Sequence, residues 1–161
     1  MEYVDITPVH QAQVNAFIAE HWYSTNMAIR GELVDMTRLP GIIAREANDI
    51  LGLVTYRFSG ADCEITSLDS LREGVGIGTE LLRRVTAIAT ARGCHRLTLI
   101  TTNDNIRALR FYQRRGFDMA RLYRNALQRS RQMKPSIPLI GEDGIPLRHE
   151  IEFEMILEEN E

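Results

Sequence analysis

The sequence predicts an α/β or α+β sandwich around one mixed sheet. Three observations predict it: short period-two apolar runs separated by turn signals in the middle of the chain, stretches with apolar residues at helical spacing, and a closing segment, "HEIEFEMIL", that alternates. With 161 residues, 44% of them hydrophobic and 25% charged, the chain reads as a single domain over residues 1–161. A chain of this size buries roughly 70% of its unfolded surface, enough for a core that needs no disulfide.

The elements follow in order. "YVDITP" alternates as an opening strand, and "HQAQVNAFIAEHW" spaces Val14, Phe17, Ile18 and Trp22 at helical intervals. The mixed periodicity of "YSTNMAIRGELVDMTRLPG", broken at Gly31 and Pro40, predicts a short helix and loop. "GIIARE", "ILGLVTYRF" and "CEITSL" come next as strands, and turn signals at Asn48 and Ser59 predict an antiparallel meander. Leu81, Leu82, Val85, Ile88 and Ala89 then form a helical stripe that stops near Gly93. "HRLTLITT" alternates as a strand, and "NDNIRALRFYQRR" reads as a helix capped by Asn103 or Asp104 and closed by Gly116. "RSRQMKPSIPLIGEDGIP" holds three of the five prolines, which predicts an irregular excursion from Arg129 to Pro146. A last strand places Ile151, Phe153, Met155 and Leu157 on one side.

Composition narrows the function classes. A net charge of −3 argues against general nucleic-acid binding, which needs a basic excess on one face. No apolar run approaches the roughly 20 residues of a membrane span, and no targeting leader is evident, so a cytoplasmic protein is expected. Cys63 and Cys94 have no CxxC spacing and read as reduced thiols. His10, His21, His95 and His149 show no ligand spacing, so no metal is expected. Lys134 is the only lysine among 19 basic residues. Arginine forks suit phosphate and carboxylate, although the same bias also arises from genome composition.

The most informative stretch is "REGVGIGTELLRRV", with Gly74, Gly76 and Gly78 at alternate positions before a helix. Glycine reaches positive φ and presents no Cβ to a ligand, while the helix start offers N–H groups at the positive end of its dipole. Such a nest binds anions, phosphate above all. It is neither the lysine-containing nucleotide loop GxxxxGK[ST] nor the dinucleotide fingerprint GxGxxG after a first strand. Further on, "NDNIRALRFYQRRGF" places Asn105, Ala108 and Tyr112 on one helical face.

Together the two segments resemble the GNAT superfamily of N-acetyltransferases, with its (R/Q)xxGx(G/A) loop and NxxAxxxYxxxGF helix. Gly76 and Gly78 match the loop; Asn105, Ala108, Tyr112, Gly116 and Phe117 match the helix. The resemblance runs from about Cys63 to Phe117. One position departs from it: Glu73 falls where the family has Arg or Gln, with Arg72 displaced by one, so Glu73 is expected to face solvent.

The resemblance implies a central, mostly antiparallel sheet of six to seven strands flanked by about four helices, with a V-shaped splay between the two central strands. It implies acetyl-CoA as cosubstrate. The cofactor-binding residues carried over are Leu68, Glu73, Gly74, Val75, Gly76, Ile77, Gly78, Thr79 and Asn105, with pantetheine pairing like an added strand beside Leu68. Tyr112 falls on the family's general acid, which protonates the departing thiolate, and a backbone N–H near Leu68 meets the oxyanion. By strand alternation Asp62, Glu64, Thr66 and Leu68 share a face, which makes Glu64 the first candidate for a base and Asp62 the second. Cys63 has no activating neighbour and is not expected to carry the acetyl group.

Arg107, Arg110 and Arg114 form a basic stripe, either a solvated face or a contact for the cofactor's 3′-phosphate. The acceptor, a small-molecule amine or a protein amine, is expected near His21, Trp22, Tyr23 and Arg30. The excursion either covers it or supports a homodimer. A non-catalytic acyl-CoA sensor is the alternative reading.

Overall fold

The computed structural model describes residues 1–22 and 25–157. Its strands are β1 (Glu2–Asp5), β2 (Asn26–Ile29), β3 (Glu32–Asp35), β4 (Gly41–Glu46), β5 (Asp49–Ser59), β6 (Asp62–Ser70), β7 (Arg96–Thr102), β8 (Asp118–Tyr123) and β9 (Glu150–Ile156). Its helices are α1 (Gln11–Trp22), α2 (Ile77–Ala91), α3 (Ile106–Arg114) and α4 (Ala126–Met133). Seven strands make a mixed sheet, mostly antiparallel with one parallel pair, and β2 and β3 make a ribbon of their own. Two units divide the chain: Met1–Asn26 with Asp35–Leu97 and Leu157, and Met27–Val34 with Thr98–Ile156. Among the described residues no helix is long and apolar enough to cross a membrane.

In the first unit the strands run β1-β4-β5-β6, each antiparallel to the next. The meander follows from tight links: Ala47 takes positive φ after β4, and Gly60 does so after β5. α2 lies against the face to which Gly52 belongs, since a Cβ at Gly52 would stand 2.6 Å from Ile77 Cγ2 and 3.1 Å from Leu81 Cδ1. Only glycine admits the helix that closely. Ile77, Leu81, Leu82, Val85 and Ala89 are buried along it, as the stripe predicts. Each such leucine or isoleucine contributes about 1.5–3 kcal/mol on leaving water. On the opposite face α1 buries Val14, Phe17 and Ile18.

β6 carries a bulge. Thr55 stands opposite Ser67 and Tyr56 opposite Ile65, which leaves Thr66 as the extra residue. The Thr55 hydroxyl ties both sides of it, 2.7 Å from Thr66 Oγ1 and 2.5 Å from Ser67 Oγ.

The second unit departs more from expectation. The segment predicted as short helix and loop is instead the β2–β3 hairpin, and a single 3-10 turn at Met36–Arg38 follows it in the first unit. A two-residue turn makes it, with Arg30 at φ 50° and Gly31 at φ 72°, the left-handed pair that matches strand twist. β8, which no alternation announces, pairs antiparallel with β9 around a bulge at Ala120. The excursion is more ordered than predicted. Its start is α4, and Arg131 then gathers the chain by donating to the carbonyls of Ile137, Pro138 and Leu147 at 3.3, 2.7 and 2.5 Å. Asp104 clasps its tip: the Glu142 N–H donates to Oδ2 at 3.0 Å, and a Cβ on Gly141 would collide with that carboxylate. Phe153 is fully buried in β9.

Candidate active site

The loop between β6 and α2 leaves its backbone open to approach. Gly74 and Gly76 stand at φ 75° and 81°, and nothing lies within 4 Å of where a Cβ of either would sit. Glycine is therefore there for the turn of the backbone and for open approach, not to relieve crowding. Gly76 is the residue before α2 and supplies no side chain to cap it, so the N–H groups that open the helix are offered outward without a competing side-chain acceptor. Residues 71–76 are exposed, Glu73 included, as expected. The start of that stretch is anchored, with Leu71 N–H on the Leu51 carbonyl at 2.9 Å and Arg72 Nη1 on Glu46 Oε2 at 2.9 Å.

Glu80 is the one acidic residue in the first turn of α2, and it is neutralised locally. Arg83 and Arg84 donate to its carboxylate at 2.7 to 2.9 Å and hold its pKa down at about 2. The Glu80 carboxylate therefore stays ionised and paired with both arginines at any ordinary pH.

β6 supplies the carboxylates. Residues directly opposite in an antiparallel pair project to the same face. Glu64 lies opposite Arg57, Ser67 opposite Thr55 and Asp69 opposite Leu53. Arg57, Thr55 and Leu53 alternate along one face of β5, so Glu64, Ser67 and Asp69 share that face. Simple alternation had put Leu68 with Glu64; the bulge at Thr66 turns Leu68 to the other face and brings Asp69 over instead. Arg57 Nε donates to Glu64 at 2.7 Å, and Glu64 is buried. Asp62 meets Arg96 Nη2 at 3.0 Å. Asp69 accepts the indole N–H of Trp22 at 2.7 Å. Burial pushes the Asp69 carboxyl above its ordinary range, against the smaller opposing effects of the Trp22 bond and of His21.

In the second unit, α3 is capped by Asn105 rather than by Asn103 or Asp104. Its Oδ1 accepts the Ala108 N–H at 3.1 Å, which leaves the role of donor to Nδ2. Asn103 serves the strand ends instead, accepting N–H groups from Arg148 and His149 at 3.0 and 2.9 Å. Tyr112 is buried on α3, its ring centroid 5.2 Å from Phe111, 5.4 Å from Phe117 and 6.0 Å from Phe153. Three aromatic rings thus fix the direction of the phenol. Arg107, Arg110 and Arg114 are exposed.

The residues expected around an acceptor belong to both units. His21 packs on Phe17 at 4.3 Å and Trp22 bonds Asp69, both in the first unit, whereas Arg30 lies in the second. Arg30 Nη2 bonds Glu152 at 2.5 Å. Tyr23 lies outside the described residues. Two features escaped the sequence. Asp69 carried no expectation, because plain alternation puts it on the face away from Glu64 and only the bulge brings it over. Glu150 and Glu152 alternate with apolar residues like a solvated strand face, yet both are buried, and burial raises the Glu150 pKa despite the Arg30 N–H. Among the described residues no group of three or more His, Cys, Asp and Glu side chains is placed to hold a metal.

The chain belongs to the acetyltransferase (GNAT) family, whose pattern it matches over residues 8–117. It is 44% identical over 143 residues to the uncharacterized protein YdhI of Bacillus subtilis (strain 168), covering 88% of this chain and 89% of that one. It is 42% identical over 152 residues to YxbD of the same strain, another uncharacterized protein, covering 94% and 96%. A GNAT family acetyltransferase from Elizabethkingia anophelis with acetyl-CoA bound shares the fold at a TM-score of 0.68 and 19% identity, over 97% of both chains.

Proposed function

We propose that the protein is an N-acetyltransferase that moves the acetyl group of acetyl-CoA to a primary amine by direct attack, in the cytoplasm. Family membership supports the acyl-transfer class, and a family structure with acetyl-CoA bound supports the cosubstrate. The observation that carries the reading onto these residues is the loop: two positive-φ glycines with open space above them, leading into a helix whose N-terminus has no side-chain cap.

In this reading the N–H groups from Glu73 through Gly74, Val75, Gly76, Ile77, Gly78 and Thr79 hold the pyrophosphate. Leu68 pairs its backbone with the pantetheine arm, and Asn105 Nδ2 donates to it while Oδ1 stays on the helix. Acetyl-CoA supplies an activated thioester carbonyl. A backbone N–H near Leu68 stabilises the oxyanion, and Tyr112 gives its phenolic proton to the leaving sulfur. A carboxylate of β6 receives the proton of the acceptor amine; Glu64 and Asp62 are the two that the sequence put forward.

The test is thiol release. The purified protein should liberate free CoA from acetyl-CoA with some amine of a broad panel, and Tyr112→Phe should slow that release by about 100-fold while acetyl-CoA affinity stays within about twofold. Tight binding with no thiol release across the panel would mark a sensor and refute the enzyme.

A further inference from the structure

We infer that Asp69 is the base that receives the acceptor's proton, an assignment that rests on the acetyl-transfer reading above. The bulge at Thr66 puts three carboxylates of β6 on one face, Asp62, Glu64 and Asp69, and their partners separate them. Arg96 Nη2 holds Asp62 at 3.0 Å and Arg57 Nε holds Glu64 at 2.7 Å. Protonating either one discharges an ion pair with its arginine, which makes both weaker proton acceptors than a carboxylate with no cationic partner. Asp69 is held instead by a neutral donor, the Trp22 indole N–H on Oδ2 at 2.7 Å. Protonation on the other oxygen leaves that bond intact.

The surroundings agree. Asp69 is half-buried and faces His21 and Trp22 of α1, with Leu53 opposite on β5 and Ser67 beside it. Beyond Ser67 the next charged groups along the face are Arg57 and Glu64, which neutralise each other. Desolvation raises the Asp69 carboxyl above its ordinary value, the direction that favours taking up a proton. Asp69 also directly follows Leu68, the residue assigned to the thioester's backbone contacts.

The chemistry balances as follows. The Asp69 carboxylate takes one N–H proton from the ammonium form of the acceptor. The freed lone pair forms a C–N bond to the thioester carbonyl carbon, whose π pair moves onto oxygen. Collapse of the oxyanion breaks the C–S bond, and the thiolate takes the Tyr112 proton. The surplus proton on the new amide nitrogen restores Tyr112, and Asp69 returns its own to water, so one proton is released per turnover.

Two measurements test this. Trp22 is the only tryptophan, so its emission reports on Asp69 without any substrate. The wild-type protein should show an emission transition above the ordinary aspartate range, absent in Asp69→Asn, which keeps an oxygen for the indole. Thiol release is then followed with acetyl-CoA and spermidine, tyramine or an alanine-initial peptide. Asp69→Asn should lose about 100-fold in kcat at neutral pH and lose the acid limb of the pH–rate profile, with acetyl-CoA affinity within about twofold of wild type. Glu64→Gln should keep that limb. An emission transition at or below the ordinary range, or an Asp69→Asn enzyme that keeps its rate and acid limb, overturns the assignment and leaves acetyl transfer standing. A wild-type protein that binds acetyl-CoA but releases no CoA with any of these amines overturns the acetyl-transfer reading itself, and the base with it.

Discussion

Cys63 shows how burial sets chemistry at a single side chain. It is fully buried on β6, and burial pushes its thiol up to about 12, with the neighbouring Cys94 adding to the rise and Arg92 opposing it. A thiol that remains protonated at pH 8 does not alkylate or carry an acyl group. Iodoacetamide at pH 8 should therefore label Cys94 alone in the native protein and both thiols after unfolding, as read by mass spectrometry. Rapid native labelling of Cys63 would contradict this. At this scale the sequence was partly legible. The exposure of Glu73 and the inertness of Cys63 were expected, because a local motif or the lack of a neighbour decided them. The partners of Asp62, Glu64 and Asp69 were not legible: Arg96, Arg57 and Trp22 reach them from other elements, and nothing in the local sequence encodes such pairings.

At the scale of elements, periodicity found what periodicity encodes. α1, α2 and the β4–β6 meander lie where their apolar patterns put them, because each buries one face against a neighbour. β8 was missed because it is exposed along nearly all its length and has no buried face to pattern. The β2–β3 hairpin was missed because its turn uses Arg30 with Gly31, and arginine is not a turn signal even though it reaches φ 50° here. The loop before α2 makes the sharpest prediction. At φ 81° a Cβ at Gly76 has room but the wrong backbone region, so Gly76→Ala should cost about 1–2 kcal/mol in urea unfolding. Acetyl-CoA binding by calorimetry should weaken as well, because the strained turn re-aims the N–H groups. Equal stability and equal affinity in the variant would mean that the left-handed turn is not what the loop requires.

For the whole molecule, the family was legible, since two motifs at a fixed separation identify a chain that neither identifies alone, and the order of elements was legible apart from the β2–β3 hairpin, β8 and α4. A ligand that binds only the folded chain adds RT ln(1 + [L]/Kd) to its stability, about 2.7 kcal/mol at a hundredfold excess over Kd. We therefore expect acetyl-CoA to raise the calorimetric unfolding midpoint, and the chain to melt in one peak if it folds as one domain. Two resolved peaks would mean that the two units unfold separately. The doubled residue in β6 bears on how such chains diverge. Removing Thr66 would leave an uninterrupted strand of nearly the same composition, yet every side chain from Ser67 to Ser70 would swap sides and carry its carboxylate with it. A one-codon deletion that sequence comparison scores as trivial would thus turn Asp69 away from the α1 side, a route by which descendants of one ancestor gain or lose an acid on that face without substituting any residue.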